Sequence, residues 1–164
     1  MKGITVITAI AICTILSACS KPGGDAAATA AALRSSTSAT GAASTDPVCR
    51  LYSSDDAAHY IGKPANDGDL SMGGCQWIAK DGNGNMMIQV VGARYNEIPK
   101  GSPGYRNLTD IGSDGFVATF MDGWLAGTVI DGTAIRASVS GTGVSDATAI
   151  ALLKETIKRR GGAK

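Results

Sequence analysis

One serine in this sequence has a setting in which serine can act as a nucleophile. Gly143-Val-Ser145-Asp-Ala147 resembles the tight strand-to-helix turn that aims a serine at its substrate. The only histidine, His59, would have to serve as the base, and it lies far upstream on a different predicted element. A serine that caps a helix explains the same residues with fewer assumptions, so we interpret Ser145 as a helix N-cap.

Carboxylates are the second group with catalytic potential, because paired acids hydrolyse glycosidic bonds. Asp110, Asp114, Asp122 and Asp131 are spread along the second half of the chain, and the sequence leaves open whether they meet in space. Three of them, Asp114, Asp122 and Asp131, directly precede a glycine, which is typical of turns. We therefore expect turn residues rather than an acid pair.

The segment Asp81-Gly-Asn83-Gly-Asn85 resembles the beginning of a calcium-binding loop. The rest of the segment does not match a calcium-binding loop, because Met86 is at the position that needs glycine and Gly92 is at the position that needs a bidentate glutamate. A hairpin turn is the favoured interpretation. With a single histidine and no free thiol pair, the sequence also gives no zinc site, and we expect neither a metal nor a cofactor.

Aromatic and basic side chains offer a binding surface instead of a catalytic one. Trp77 and Trp124, with Phe116 and Phe120, are candidates for stacking on a sugar or peptide, although core packing is the favoured role. Trp77 and Trp124, together with Tyr105 and Arg106, form our candidate binding surface. A basic cluster near the C-terminus fits anionic lipid headgroups, acidic partners or a solvated helix end, and comprises Lys154, Lys158, Arg159, Arg160 and Lys164.

The composition excludes several classes of protein. Of 164 residues, 44% are hydrophobic and 18% are charged, which is typical of a globular chain rather than a disordered or multi-pass membrane protein. The net charge of +1 argues against nucleic acid, whose phosphates require a basic surface.

The N-terminus reads as an export signal. Lys2 precedes an apolar run from residue 3 to residue 16, which is shorter than the roughly 20 residues of a transmembrane helix. The run ends in Leu16-Ser17-Ala18-Cys19, which resembles the lipobox of bacterial lipoproteins. That resemblance implies cleavage after residue 18, a lipid on Cys19 and, because Ser20 is not aspartate, transfer to the outer membrane facing the periplasm. The alternative is an ordinary cleavage site with a coincidental cysteine.

Residues 19–46 then form a tether that is almost wholly Ala, Ser, Thr and Gly, and that cannot bury a core. Residues 47–164 are the predicted globular domain. Cys49 and Cys75 lie within it, and export to an oxidising compartment predicts a disulfide between them. A redox pair is the alternative, although no Cys-x-x-Cys is present.

The sequence of this domain predicts an α+β fold with a single antiparallel sheet of about five strands and two helices on one face. A short helix over 54–61 is capped by Ser53, and a second helix follows Ser145. Strands are expected over 75–80, 85–95, 116–121, 124–130 and 134–140, with Asp122-Gly123 and Asp131-Gly132 as turns. A long polar loop over 96–114 separates the first two strands from the last three, and such loops often contact a partner.

The arrangement of Cys49, the Ser-Ser-Asp-Asp-Ala-Ala-His-Tyr-Ile-Gly segment, Cys75-Gln-Trp77 and Gly-Trp124 is similar to that of small uncharacterised bacterial lipoproteins of unknown function. More distantly, it resembles extracellular sensor-like domains. The resemblance covers most of residues 47–160 and implies a lipid-anchored, disulfide-containing α+β domain without a defined activity.

These observations favour a non-enzymatic protein-binding module that a lipid anchors in the cell envelope. An inhibitor or immunity-type factor is the most concrete form, with the 96–114 loop or a strand edge contacting an envelope protein. An accessory or sensor component of an envelope assembly is the alternative, and a cell-wall hydrolase is a third class that would need convergent acids or an activated serine.

Overall fold

A computed structural model describes residues 44–162, and the predicted signal peptide, Cys19 and most of the predicted tether lie outside that range. Helix α1 spans Ser54–Ile61 and helix α2 spans Asp146–Gly162, and short 3₁₀ turns lie at Cys49–Leu51 and Ala93–Tyr95. The strands are β1 (Asp69–Ser71), β2 (Gly74–Ile78), β3 (Asn85–Gly92), β4 (Arg106–Asn107), β5 (Ser113–Phe120), β6 (Gly123–Ile130) and β7 (Thr133–Ser140).

The strands form one antiparallel sheet in the order β1-β2-β3-β7-β6-β5-β4. The α+β class with a single antiparallel sheet and two helices is thus confirmed, but the sheet has seven strands and not about five. The two additional strands, β1 and β4, are three and two residues long and lie at the sheet edges. Their pairing depends on the neighbouring strand, because segments this short carry no hydrophobic alternation of their own.

The two helices pack on the same face of the sheet, which we call the helix face. Alternate residues of the central strands point to it and join helix residues in one hydrophobic cluster. From the sheet this cluster takes Cys75, Trp77, Met86, Ile88, Val117, Ala126, Ile135, Ala137 and Val139. From the helices it takes Ala57, Ile61, Ala149, Leu152 and Leu153.

Helix α1 begins and ends as the sequence predicts. The Ser53 hydroxyl accepts from the Asp56 backbone N–H at 3.1 Å, and the Asp56 carboxylate accepts from the Ser53 backbone N–H at 2.9 Å. This reciprocal capping box satisfies two backbone donors that the first helical turn leaves open. Gly62 ends the helix at φ 78°, a left-handed conformation in which glycine carries no steric cost.

Helix α2 presents a different stripe to the core from the one that simple periodicity suggests. Leu152 and Thr156 are fully buried, whereas Ala147 and Ala151 are exposed. Thr156 tolerates burial because its hydroxyl donates to the Leu152 carbonyl at 2.7 Å and pairs with the Tyr52 hydroxyl at 2.9 Å. Within the part of the chain that the structure describes, no helix is both long and apolar enough to cross a membrane.

The disulfide between Cys49 and Cys75 is present, with a Cα–Cα distance of 5.1 Å. It joins the first 3₁₀ turn to β2, next to Trp77 in the main core. The loop after β2 is a hairpin turn, in which the Asp81 side chain accepts from the Asn83 backbone N–H at 2.9 Å. Lys63 forms an ion pair with the same carboxylate at 2.8 Å. Asp81, the first residue of the calcium-like segment, is therefore already paired with a cation of the protein.

Candidate functional site

The face of the sheet opposite the helices carries an open trough of about 350 Å³. Gln76, Gln89 and Arg136 lie on this face in three adjacent strands. Each of them is next in its own strand to a residue that faces the core, and neighbouring residues of a strand point to opposite faces. Met87 and Ser138 lie beside them in the same two strands, β3 and β7. The full lining comprises Met72, Gln76, Asn85, Met87, Gln89, Glu97, Phe120, Met121, Asp122, Leu125, Arg136, Ser138, Val139 and Ser140.

Part of this second face is buried. Phe116, Ala118 and Ala134 point to it by register and are buried, yet they are separate from the main hydrophobic cluster. The second 3₁₀ turn packs against β7, and the chain that follows it connects β3 to β4 at the far edge of the sheet. Glu97 from this connection lines the trough, so the connection borders the trough on one side.

Two methionines at hairpin tips stand at the rim of the trough. Met72 is 73% exposed and Met121 is 81% exposed, and both have left-handed backbone angles, φ 46° and φ 51°. Left-handed angles disfavour a side chain such as methionine, whereas asparagine, aspartate and glycine tolerate them. Gln89 supports one tip by donating its amide to the Met72 carbonyl at 2.8 Å. Each tip thus combines an apolar side chain in water with a strained backbone, a combination that stability alone does not favour.

The sequence placed the second of these turns one residue away from where it lies. We expected Asp122-Gly123 to connect the strands, but Phe120 pairs with Gly123, so Met121 and Asp122 form the turn. A side chain at Gly123 would fall 2.2 Å from the Val139 carbonyl oxygen, which explains why glycine is needed in the strand and not in the turn. The other expected turn, Asp131-Gly132, is confirmed by positive φ angles at both residues.

Arg136 is the cation on the floor of the trough. Its Nε is buried and has no hydrogen-bond partner, and its guanidinium forms no ion pair with any residue in 44–162. Burial lowers the pKa of Arg136 below its usual value, and Glu97 opposes this effect through its charge without contacting the guanidinium. The buried Nε without an acceptor is unfavourable, and a cation that lines the trough without an ion pair favours an incoming negatively charged oxygen.

The residues that we selected from the sequence as a binding surface lie elsewhere. Trp77 is completely buried under the helices, with its ring 5.9 Å from the ring of Tyr52, so it is a core residue and offers no surface. Trp124 is half-buried on the helix face of β6. Arg106 pairs with Asp146 at 2.6 Å, and the Tyr105 hydroxyl donates to Asn107. None of the four lines the trough.

The trough residues carry a sequence signal that is visible only with the strand register. Gln89, Arg136, Ser138 and Ser140 are polar at alternate positions of two apolar strands, which indicates a face that a helix does not cover. Methionine directly before Gly73 occupies a turn position that usually carries asparagine or aspartate.

The structure does not place His59 against Ser145, and it keeps Asp122 far from Asp131. The Ser145 hydroxyl lies 3.3 Å from the Thr148 hydroxyl and 3.4 Å from the Thr148 backbone N–H, as expected of a cap. His59 lies at a shallow pocket with Gly143 and Thr148, closer to this turn than the sequence suggested, but Ser145 does not line that pocket. Asp122 and Asp131 lie beyond opposite ends of β6, about 30 Å apart at 3.3 Å per residue.

A separate polar cluster joins the two helices on the helix face. The Arg159 guanidinium contacts both carboxylate oxygens of Asp56 at 3.0 Å and stacks 4.3 Å from the centre of the Tyr52 ring. The hydrogen bonds from Arg159 and from the Ser53 backbone hold the pKa of Asp56 well below its usual range. Burial raises the pKa of Tyr52 to about 12. Each group in this cluster has a partner, so we assign the cluster to stability.

Residues 44–162 contain no group of three or more His, Cys, Asp or Glu side chains arranged to hold a metal ion. No family model, curated protein or solved structure matches the chain.

Proposed function

We propose that this protein is an envelope lipoprotein, anchored through Cys19, that binds another protein in the trough on the helix-free face of its sheet. One observation carries the proposal: half of the large apolar side chains that are exposed in residues 44–162 lie at this one hollow. Six large hydrophobic side chains are exposed among the described residues, and Met72, Phe120 and Met121 belong to the trough. Flexible methionines adapt to the surface of a partner, and aromatic side chains anchor it.

The trough supports binding better than catalysis. Its titratable groups are Glu97, Asp122 and Arg136. Asp122 lies one residue beyond the pair of Gly123 and Ser140, which places it about five residues along β7 from Arg136, or about 16 Å away. No nucleophile and base are in contact there, so the arrangement provides recognition. An inhibitor or immunity-type factor that occupies a partner's surface is the form of this function that we favour.

Photocrosslinking in intact cells tests the proposal. Phe120, which is exposed at the trough, is replaced by benzoyl-phenylalanine, an aromatic residue that suits the same strand position. Lys158, which is exposed on α2, receives the same probe as the matched control. We expect one discrete protein adduct from position 120 that is missing from position 158. The absence of any adduct at position 120, or the same adducts at both positions, would contradict the proposal.

Identification of the adduct then separates an inhibitor from an accessory component. A purified inhibitor lowers the activity of its partner even when Cys19→Ser removes the anchor. An accessory component loses its role with the anchor, because that role depends on its location.

A further inference from the structure

The trough has polar features that distinguish one class of occupant from others. Arg136 lies on β7, the central strand of the five that run from β2 to β5, and it is the only cation in the lining. Around it, Gln76, Gln89 and Ser138 are neutral and half-buried, and the Gln89 amide is already engaged by the Met72 carbonyl. The guanidinium is thus the strongest unfilled donor in the trough.

We infer that the trough receives a carboxylate side chain of the partner protein, which binds Arg136 while apolar residues on either side of it contact Met72 and Met121. The inference rests on the proposed function, since it names the chemistry of the segment that the binding module would recognise.

A carboxylate fits the charges better than other anions. A planar guanidinium matches the two oxygens of a carboxylate in a bidentate arrangement. A phosphate group would bring nearly two negative charges to a single cation that already has Glu97 nearby. A carboxylate brings one negative charge to the one guanidinium of the lining, and it is repelled less by Glu97 than a phosphate group would be.

The position of the methionines indicates a segment of protein chain. Strand spacing and register put the Met72 tip about 10 Å from Arg136 on one side and the Met121 tip about 16 Å away on the other. In a polyproline II conformation three residues make one turn and span about 9 Å, so side chains three positions apart point to the same side, and the length of the side chains makes up the difference. A glutamate with an apolar residue three positions before it and three positions after it therefore reaches Arg136 and both tips together.

Nuclear magnetic resonance titration of the whole mature chain, made lipid-free by Cys19→Ser, tests this inference. The probe is acetyl-Leu-Ser-Gly-Glu-Gly-Ser-Leu-amide, and the signals are the Arg136 Nε–H and the Met72 and Met121 methyl groups. We expect saturable shifts of all three. Replacing Glu by Gln in the probe should weaken binding about tenfold, because the hydrogen bonds then lose their charge. Replacing both Leu residues by Ala should remove the methyl shifts.

Variants of the protein give effects of opposite sign. Arg136→Gln should abolish the preference for the Glu probe, whereas Glu97→Gln should strengthen binding of that probe by removing a competing charge. Arg106→Gln is the control, because that guanidinium is exposed and already paired with Asp146. Binding to Arg106→Gln should be unchanged.

Two results would overturn the inference. In the first, the Glu and Gln probes bind equally well to the unaltered protein. In the second, octanoate shifts the same signals and the Glu probe does not, which would indicate a lipid ligand. Either result leaves the crosslinking at position 120 as an independent test, so failure of this inference is distinguishable from failure of the proposed function.

Discussion

At the scale of single residues, Arg136 is the clearest case of a side chain whose surroundings do not serve stability. Its Nε is buried without an acceptor, and burial lowers the pKa of the guanidinium. Trp77 is the opposite case, since a residue that we considered for a binding surface is fully enclosed by the core, which is the role that the sequence favoured for it. Residue type alone did not separate these roles, because both depend on which face of a strand the residue occupies.

The Arg136→Met variant should unfold with a free energy equal to that of the unaltered protein or higher by up to about 1 kcal/mol, because it removes a buried donor without a partner. Denaturant unfolding at pH 7 measures this difference. Arg106→Met serves as the comparison and should lose no more than about 1 kcal/mol with its exposed ion pair. A loss above about 2 kcal/mol in Arg136→Met would mean that Arg136 supports the fold, contrary to our assignment.

The Asp56 carboxylate should stabilise the protein in a pH-dependent way. Hydrogen bonds from Arg159 and the Ser53 backbone lower its pKa in the folded state, whereas the unfolded value is about 4. The contribution is therefore complete above about pH 4 and declines as the pH falls below it.

At pH 7 the Asp56→Asn variant should lose about 1 kcal/mol of unfolding free energy. The loss is small because the ion pair between Asp56 and Arg159 is partly exposed to solvent. Thermal unfolding of both proteins between pH 2 and 7 checks this: the gap between their melting temperatures should narrow in acid. A gap that stays constant would show that the charge of Asp56 is not responsible.

At the scale of secondary-structure elements, the hairpins explain how the trough acquires its rim. The β1–β2 and β5–β6 turns each place a methionine at positive φ, whereas the β6–β7 turn uses Asp131 and Gly132. The first two turns lie at the trough and the third lies at the other end of β6 and β7. Residues that suit the turn poorly are thus confined to the turns that border the candidate site.

We expect the Met72→Asn and Met121→Asn variants each to gain about 0.5–1 kcal/mol of unfolding free energy, because asparagine tolerates left-handed angles better than methionine. Asp131→Asn is the matched control, since its φ of 48° is equally left-handed but its side chain already suits the turn. Denaturant unfolding measures all three. The first two variants should also lose the adduct formed at position 120, so equal stability and intact crosslinking together would contradict a binding role for these tips.

Much of the element order followed from the sequence. The capping box at Ser53, glycine at position 62 and the Asp131-Gly132 turn are local signals, and the structure confirms each one. The edge strands β1 and β4 were missed because their residues pair through the backbone of a neighbour. The trough was missed because it is built from β2, β3, β5, β6 and β7, and only the strand order brings their side chains together.

At the scale of the whole molecule, the fold is held by one core on the helix face and by the disulfide that fastens the N-terminal turn to β2. Cys49 and Cys75 are both buried and are separated by 26 residues in sequence. Closing a loop of this length stabilises a protein by about 3.5 kcal/mol on the chain-entropy model. The helix-free face contributes less to the core, which is why it is available for binding.

Replacing both cysteines by alanine should lower the melting temperature by about 10–15 °C, given the usual relation between free energy and melting temperature for a domain of this size. Calorimetry of the double variant and of the parent protein measures the shift. The parent in the presence of reductant should move toward the double variant. A shift of less than about 3 °C would indicate that packing alone holds the N-terminal turn.

The Cys19→Ser variant tests the lipid anchor that we propose. Labelling of cells with a palmitate analogue should mark the unaltered protein and leave the variant unmarked, because the lipid is joined through the sulfur. Fractionation should then find the parent protein with membranes and the variant in the soluble envelope fraction. Equal labelling of the two proteins would show that Cys19 is not the attachment site.

The brevity of the outermost strands has a consequence for the membrane-anchored state that we propose. Strands of three and two residues offer almost no free backbone for another chain to extend the sheet sideways. Neighbouring copies would therefore have little opportunity to polymerise into fibrils, even at high density. The binding that we propose would use the broad side of the sheet, where side chains rather than main-chain atoms determine what binds.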